Sequence, residues 1–169
     1  MEINLKEKPW YNYLEEDLGE LISESFVLLN QVSKWQNGYH DYSFVVFPAA
    51  KAYEGYLKKL FLDLGFISEG DYYGRRFRIG KALNPQLEPR FRPLESVYDK
   101  LRNHLGNNYL GDLLWNTWRN CRNLVFHWFP DEKSAINFEE AKKRVALVIK
   151  AIDESYKECK MNKNENISS

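Results

Sequence analysis

Residues 107–130 read NNYLGDLLWNTWRNCRNLVFHWFP, and the spacing of their apolar side chains decides how the rest of the chain is read. Leu114, Trp118, Cys121, Val125 and Trp128 recur at three- and four-residue steps, the period of one face of an α-helix. Turning such a helix through about 100° per residue puts Asn116, Arg119, Asn120, Asn123 and His127 on the opposite arc, with Arg122 at its edge. Arg119, Asn123 and His127 then stack one turn apart. Pro130 disfavours an α conformation at Phe129 and is expected to end the helix there, leaving His127 in the last turn. A helix C-terminus favours the imidazolium form, so a histidine in that position is poised to exchange a proton near neutral pH. The segment is expected to be the fourth long helix of a bundle.

Outward from it, the same period recurs. A first helix is expected from about Trp10 to Trp35, with Leu14, Leu18, Leu21, Ile22, Ser25, Leu28, Leu29 and Val32 inward. Its outer face carries Glu15, Glu16, Glu20 and Glu24, and Asn37-Gly38 stops it. A second helix runs from near Asp41 or Ser43 to Gly65, a residue suited to a C-terminal cap. Pro48 either lies in the first turn of that helix or kinks it. A third covers about Leu94 to Leu105 with Leu94 inward; the last covers about Asn137 or Phe138 to Lys157, with Asn137 as N-cap. Asp131 to Ser134 reads as a turn. Between Phe66 and Pro93, glycines and prolines break the period, and one short helix is expected at Ile79 to Leu83. No alternating strand pattern competes outside that stretch. The expectation is all-α: an up-and-down bundle of four long helices with one short extra helix. A flexible arm at 1–8 precedes a single domain at 9–158, and a flexible tail follows at 159–169.

A chain of 169 residues with 44 % hydrophobic content builds one core. No apolar run reaches the ~18 residues needed to span a bilayer, so a cytoplasmic protein without membrane contact is expected. Cys121 and Cys159 lack metal-ligand spacing, and Cys121 falls on the core stripe. There is no HExxH, no CxxC pair, no glycine-rich phosphate loop and no GxSxG elbow, so neither a metal nor a cofactor is expected. His40 and His104 match no motif.

The formal net charge is zero but unevenly spread. Residues 1–72 hold six Lys/Arg against twelve Asp/Glu, whereas residues 73–102 hold eight against three. In that basic strip Tyr72, Tyr73, Phe77 and Phe91 alternate with cations, the combination single-stranded RNA uses for phosphate contact and base stacking. Arg75, Arg76 and Arg78 are therefore candidate RNA contacts. The competing reading is a solvated strip that pairs with the acidic amino-terminal third, its aromatics fastening the loop to the bundle.

Arg122-Asn-Leu-Val-Phe-His127 reads R-N-x-x-x-H, which resembles the Rx4–6H motif of the HEPN (higher eukaryotes and prokaryotes nucleotide-binding) superfamily. The stretch FPAAKAYEGYLKKLFLDLG at 47–65 is similar to the corresponding helix of the RNase LS-type toxins within it. The resemblance implies a metal-independent endoribonuclease in which two protomers pair around their motif helices and share one cleft. It makes Arg122 and His127 the catalytic pair, with Asn123 and Arg119 supporting the site. It also brings the second helix against the motif helix, so Glu54 becomes the candidate partner of Arg122 or His127. The alternative for Glu54 is an ordinary i,i+4 pair with Lys58. A role as a toxin or in phage defence follows from the same likeness, with an antitoxin or regulatory protein as a possible partner. Members paired with a nucleotidyltransferase often read RxxxxHxY; this chain has Phe129 at that position, which accepts no adenylyl group.

An Arg/His pair without a metal can cleave RNA through its own 2′-hydroxyl. Histidine, with an unperturbed pKa near 6.5, moves the proton, and arginine holds the non-bridging oxygens as charge builds. The alternatives are a catalytically silent HEPN-like module that binds a nucleotide, RNA or regulatory protein, and a plain helical interaction protein whose polar arc is only a solvated face.

Overall fold

The computed structural model describes residues 4–35, 38–128, 130 and 134–165, with side chains through residue 159. Among the described residues every regular element is helical. Two 3-10 turns, Leu5–Glu7 and Tyr11–Tyr13, lead into α1 (Glu16–Val32). Then come α2 (Ser43–Asp63), the short α3 (Glu69–Tyr73), α4 (Ile79–Ala82) and α5 (Arg92–Glu95), and α6 (Val97–Leu105). α7 (Tyr109–Trp118) continues into a π-helical segment at Arg119–Asn123 and one further turn, α8 (Leu124–Phe126). The last described element is α9 (Phe138–Glu165).

α2 is the central helix. It buries eleven of its 21 residues, among them Tyr53, Tyr56, Leu57 and Phe61, so it is covered on more than one face. α1 and α9 pack against it, and the π segment, α3 and α4 touch it as well. The two buried tyrosines satisfy their hydroxyls rather than leaving them orphaned. Tyr53 donates to the Leu114 carbonyl at 3.1 Å, and Tyr56 pairs with Ser155 Oγ at 2.8 Å. Pro48 lies past the first turn, inside the helix. Proline removes its own N–H from the helical ladder, and the backbone N–H of the next residue, Ala49, donates to the buried Ser25 hydroxyl of α1 at 2.9 Å. Gly65 adopts φ +70° and closes α2 with the paired bonds of a Schellman cap, Phe66 N–H to Phe61 O at 2.8 Å and Gly65 N–H to Leu62 O at 2.9 Å.

Several boundaries differ from the sequence expectation. α1 starts at Glu16 rather than near Trp10, because the fully buried Trp10 is tied to α9 by an indole bond to Asp153 Oδ1 at 3.1 Å. Leu5 is also in the core, while Asn4, Lys6 and Glu7 beside it are exposed. The third helix is split. The Ser96 hydroxyl accepts from Asp99 N–H at 3.0 Å and starts α6 at Val97, which leaves Leu94 in α5 and 83 % exposed instead of inward. α6 is nine residues long, so the long helices are α1, α2, the continuous run from α7 through α8, and α9. α3, unforeseen, is opened by a capping box in which Ser68 and Asp71 bond reciprocally. α9 begins at the expected cap, with Asn137 and Glu140 bonded in the same reciprocal way at 2.9 Å, but its backbone continues beyond Lys157 to Glu165. Asn37, residues 131–133 of the expected turn, residues 1–3 of the arm and residues 166–169 of the tail lie outside the described residues.

Candidate functional site

The polar arc and the apolar stripe sit where the periodicity put them through Val125. Leu114, Trp118, Cys121 and Val125 are buried, while Asn116, Arg119, Asn120 and Asn123 are exposed. The helix between them is not regular. Leu124 N–H bonds to the Arg119 carbonyl, a step of five residues that widens the turn. Its neighbourhood supplies partners from other helices. The Leu114 carbonyl takes the Tyr53 hydroxyl, and the Asn120 carbonyl accepts from Arg144 Nε of α9 at 3.1 Å. Cys121 Sγ donates to the Arg144 carbonyl at 3.4 Å, and burial pushes its thiol up to about 12. That cysteine is a packing residue.

The widened turn changes the expected column. Residues four apart across it no longer superpose, and the helix ends at Phe126 instead of Phe129. His127 is the C-cap, with extended φ −110° and ψ 135°, and therefore follows the last turn rather than standing in it. Trp128, placed on the core stripe by its spacing, is 77 % exposed.

Arg122, half-buried, points back toward α2. Its Nε lies 3.8 Å from Glu54 Oε2, and its guanidinium carbon is 5.4 Å from the Trp118 ring centroid. Lys58, the alternative partner of Glu54, instead donates to the Tyr72 carbonyl at 3.4 Å. Glu54 and Arg122 line a cleft of about 260 Å³ with Phe47, Ala50, Lys51 and Phe126, and Phe47 and Phe126 meet edge to face at 5.4 Å. Trp118, which carries Arg122, is backed by α4: a Cβ at Gly80 would stand 2.7 Å from Trp118 Nε1. The structure thus joins Glu54 to Arg122. Arg119, Asn123 and His127 are exposed and do not line that cleft. Phe47, Lys51 and Trp118 were not singled out from the sequence as site residues, although the i, i+4, i+7 spacing of Phe47, Lys51 and Glu54 marks one face of α2.

Arg75, Arg76 and Arg78 are exposed on the connection between α3 and α4. Arg76 and Arg78 line a different cleft, of about 300 Å³, with Phe77, Lys81, Asp71 and Leu94 among its walls. The remaining cations of the strip pair mainly with the strip's own acids, not with the amino-terminal third. Arg92 meets Asp99 through two bonds of 2.7 and 2.8 Å, holding that carboxyl below its usual range, and Lys81 meets Glu95 at 2.5 Å. Phe77 packs against the core, and Phe91 lies under Lys81 and Arg90, while Tyr73 is 80 % exposed.

Among the described residues no His, Cys, Asp and Glu group together as metal ligands, and no helix is long and apolar enough to cross a membrane. Residues 11–84 match a family model described as RnaseLS-like HEPN, which spans α1, α2, α3 and α4 and stops short of Arg122 and His127. No curated protein and no solved structure matches the chain.

Proposed function

We propose, from the match of residues 11–84 to an RnaseLS-like HEPN family model, that the whole chain is a metal-independent endoribonuclease acting on RNA. Arg122 holds the non-bridging oxygens of the scissile phosphate and His127 moves the proton; Glu54 orients the guanidinium, and Asn123 and Arg119 support the surrounding polar face. The ribose 2′-oxygen attacks phosphorus and loses its proton, and the bond to the 5′-oxygen breaks. A proton returns to that leaving oxygen, so the products are a 2′,3′-cyclic phosphate and a 5′-hydroxyl. One histidine on the motif segment serves two proton transfers poorly, and pairing two protomers through their motif segments supplies the second. Toxin or phage-defence activity, restrained by an antitoxin or regulatory protein, is the biological setting that fits this reading.

The observation that carries it is the ion pair between Glu54 and Arg122, which ties a helix inside the HEPN match to the R-N-x-x-x-H segment outside it. Arg122→Ala and His127→Ala are each expected to abolish cleavage of RNA while the helical signal persists, because neither side chain is in the core. Cleavage is expected to survive EDTA. Products ending in 5′-phosphate, or undiminished cutting by His127→Ala, refute the mechanism. A second reading draws on the family match ending at residue 84: a silent HEPN-like module would bind RNA, a nucleotide or a regulatory protein, and the wild type would show no turnover at all.

A further inference from the structure

Trp128, the residue after His127, lines a cleft that the Arg122–Glu54 pair does not share. It measures about 700 Å³ and is walled by His40, Asp41, Trp128, Ser134, Asn137 and Glu140, a volume within the ~300–1,000 Å³ of ligand pockets. Trp128 follows His127 directly in the chain, and the extended backbone at His127 turns it away from the core, leaving it the most exposed tryptophan among those given a value here: Trp10 is 0 %, Trp118 7 % and Trp35 44 % exposed.

The opposite walls are held in place. The Asp41 carboxylate accepts from Ser43 N–H at 3.0 Å, Ser43 Oγ at 2.8 Å and Ile136 N–H at 3.1 Å, so one side chain ties the segment before α2 to the segment before α9. Tyr42 N–H adds a bond to the Ile136 carbonyl at 2.9 Å. Asn137 and Glu140 are fixed by their reciprocal cap. Aromatic surface continues outward, from Phe138 to Tyr42 at 5.6 Å and on to the exposed Tyr39 at 5.8 Å.

Electrostatics decides what such a cleft accepts. Asp41 and Glu140 bring two carboxylates to its walls, which repel a phosphate but accept hydrogen bonds from a neutral base; the cations Arg122 and Lys51 line the other cleft. We propose that the cleft holds one unstacked base of single-stranded RNA, laid against the Trp128 indole, while the strand's phosphates pass on the Arg122 side. The assignment rests on the ribonuclease reading and adds to it a single-strand requirement set by a base subsite at Trp128.

The test is RNA binding in a His127→Ala background, so that turnover plays no part. A fluorescently labelled single-stranded oligonucleotide is titrated against that parent and against the same protein carrying Trp128→Ala or Trp128→Phe. The alanine variant is expected to bind about tenfold more weakly, a change of ~1.4 kcal/mol and within the usual worth of one base stacked on an aromatic ring. The slope of affinity against salt is expected to stay the same, since stacking releases no counterions. Phenylalanine is expected to restore most of the loss, and binding of an RNA duplex of equal length to be indifferent to both changes. An alanine variant within about twofold of the parent, a phenylalanine variant as weak as alanine, or a flattened salt slope overturns the subsite. If wild type cuts RNA and Trp128→Ala binds it normally, the subsite falls and the nuclease reading stands. If wild type does not cut RNA but the stacking signature appears, the nuclease reading falls and the subsite stands.

Discussion

Gly80→Ala probes the support beneath Arg122, because two effects of the substitution have opposite signs. Gly80 lies in α4, where replacing glycine by alanine would by propensity alone stabilise the protein by roughly 0.5–1 kcal/mol. The new Cβ, however, would stand 2.7 Å from Trp118 Nε1, and Trp118 is a rigid indole only 7 % exposed. Forcing extra volume into a packed site of this kind costs about 1–3 kcal/mol, which exceeds the propensity gain over most of its range. A net loss of roughly 1–2 kcal/mol corresponds to a fall in Tm of about 2–8 °C for a chain of this size. Gly55→Ala is the internal control. Its Cβ would approach Leu18 Cδ2 at 2.6 Å and Cδ1 at 2.7 Å, as close as the Trp118 contact, but the atoms met are the two terminal methyls of a flexible, half-buried side chain that can move aside as a whole. Thermal unfolding of both variants by circular dichroism measures the difference. Gly80→Ala is expected to melt below wild type and Gly55→Ala within about 1 kcal/mol of it. Because Arg122 stacks on Trp118, RNA cleavage by Gly80→Ala is expected to fall as well. A Tm for Gly80→Ala equal to or above that of wild type would refute the reasoning, since it would mean that the indole yields freely.

Burial holds the Cys121 thiol at about 12 against its ordinary 9.0, so the unfolded chain loses this proton first as pH rises, and stability is expected to decline from about pH 9 upward. Tyr98, pushed up to about 12 by burial and the Asp112 carboxylate, adds to the same decline; urea midpoints across this range check it, with a shallower fall in Cys121→Ala. Neutralising Arg75, Arg76 and Arg78 together is expected to lower the salt slope of single-stranded RNA binding by about 2, at ~0.7 per phosphate contact, and an unchanged slope would remove the strip from the interface. Asn137→Ala deletes one half of the α9 cap and is expected to cost about 0.5–2 kcal/mol in urea unfolding, without displacing Arg122 from Glu54.

What the chain determined locally is its helical class and the faces of its helices. Leu114, Trp118, Cys121 and Val125 are buried because a three- and four-residue apolar period is a property of the segment itself, and Gly65 ends α2 because only a residue tolerant of φ +70° suits that cap. The Ser68–Asp71 capping box is equally local, a serine with a carboxylate three residues on. Other outcomes depended on groups distant in sequence. Trp10 leaves α1 because Asp153 receives its indole, and the wide turn at Arg119–Asn123 is accompanied by bonds from Tyr53 and Arg144 to nearby carbonyls. That turn and the early end at Phe126 moved Trp128 out of the core and His127 beyond the helix. Periodicity assumes a constant rise and rotation per residue, and so carries no signal for a change in either. The meeting of Glu54 with Arg122, and of Trp128 with His40 across a cleft, was likewise decided only when α2, α7 and α9 packed together, because side chains far apart in sequence acquire a distance only in the folded chain.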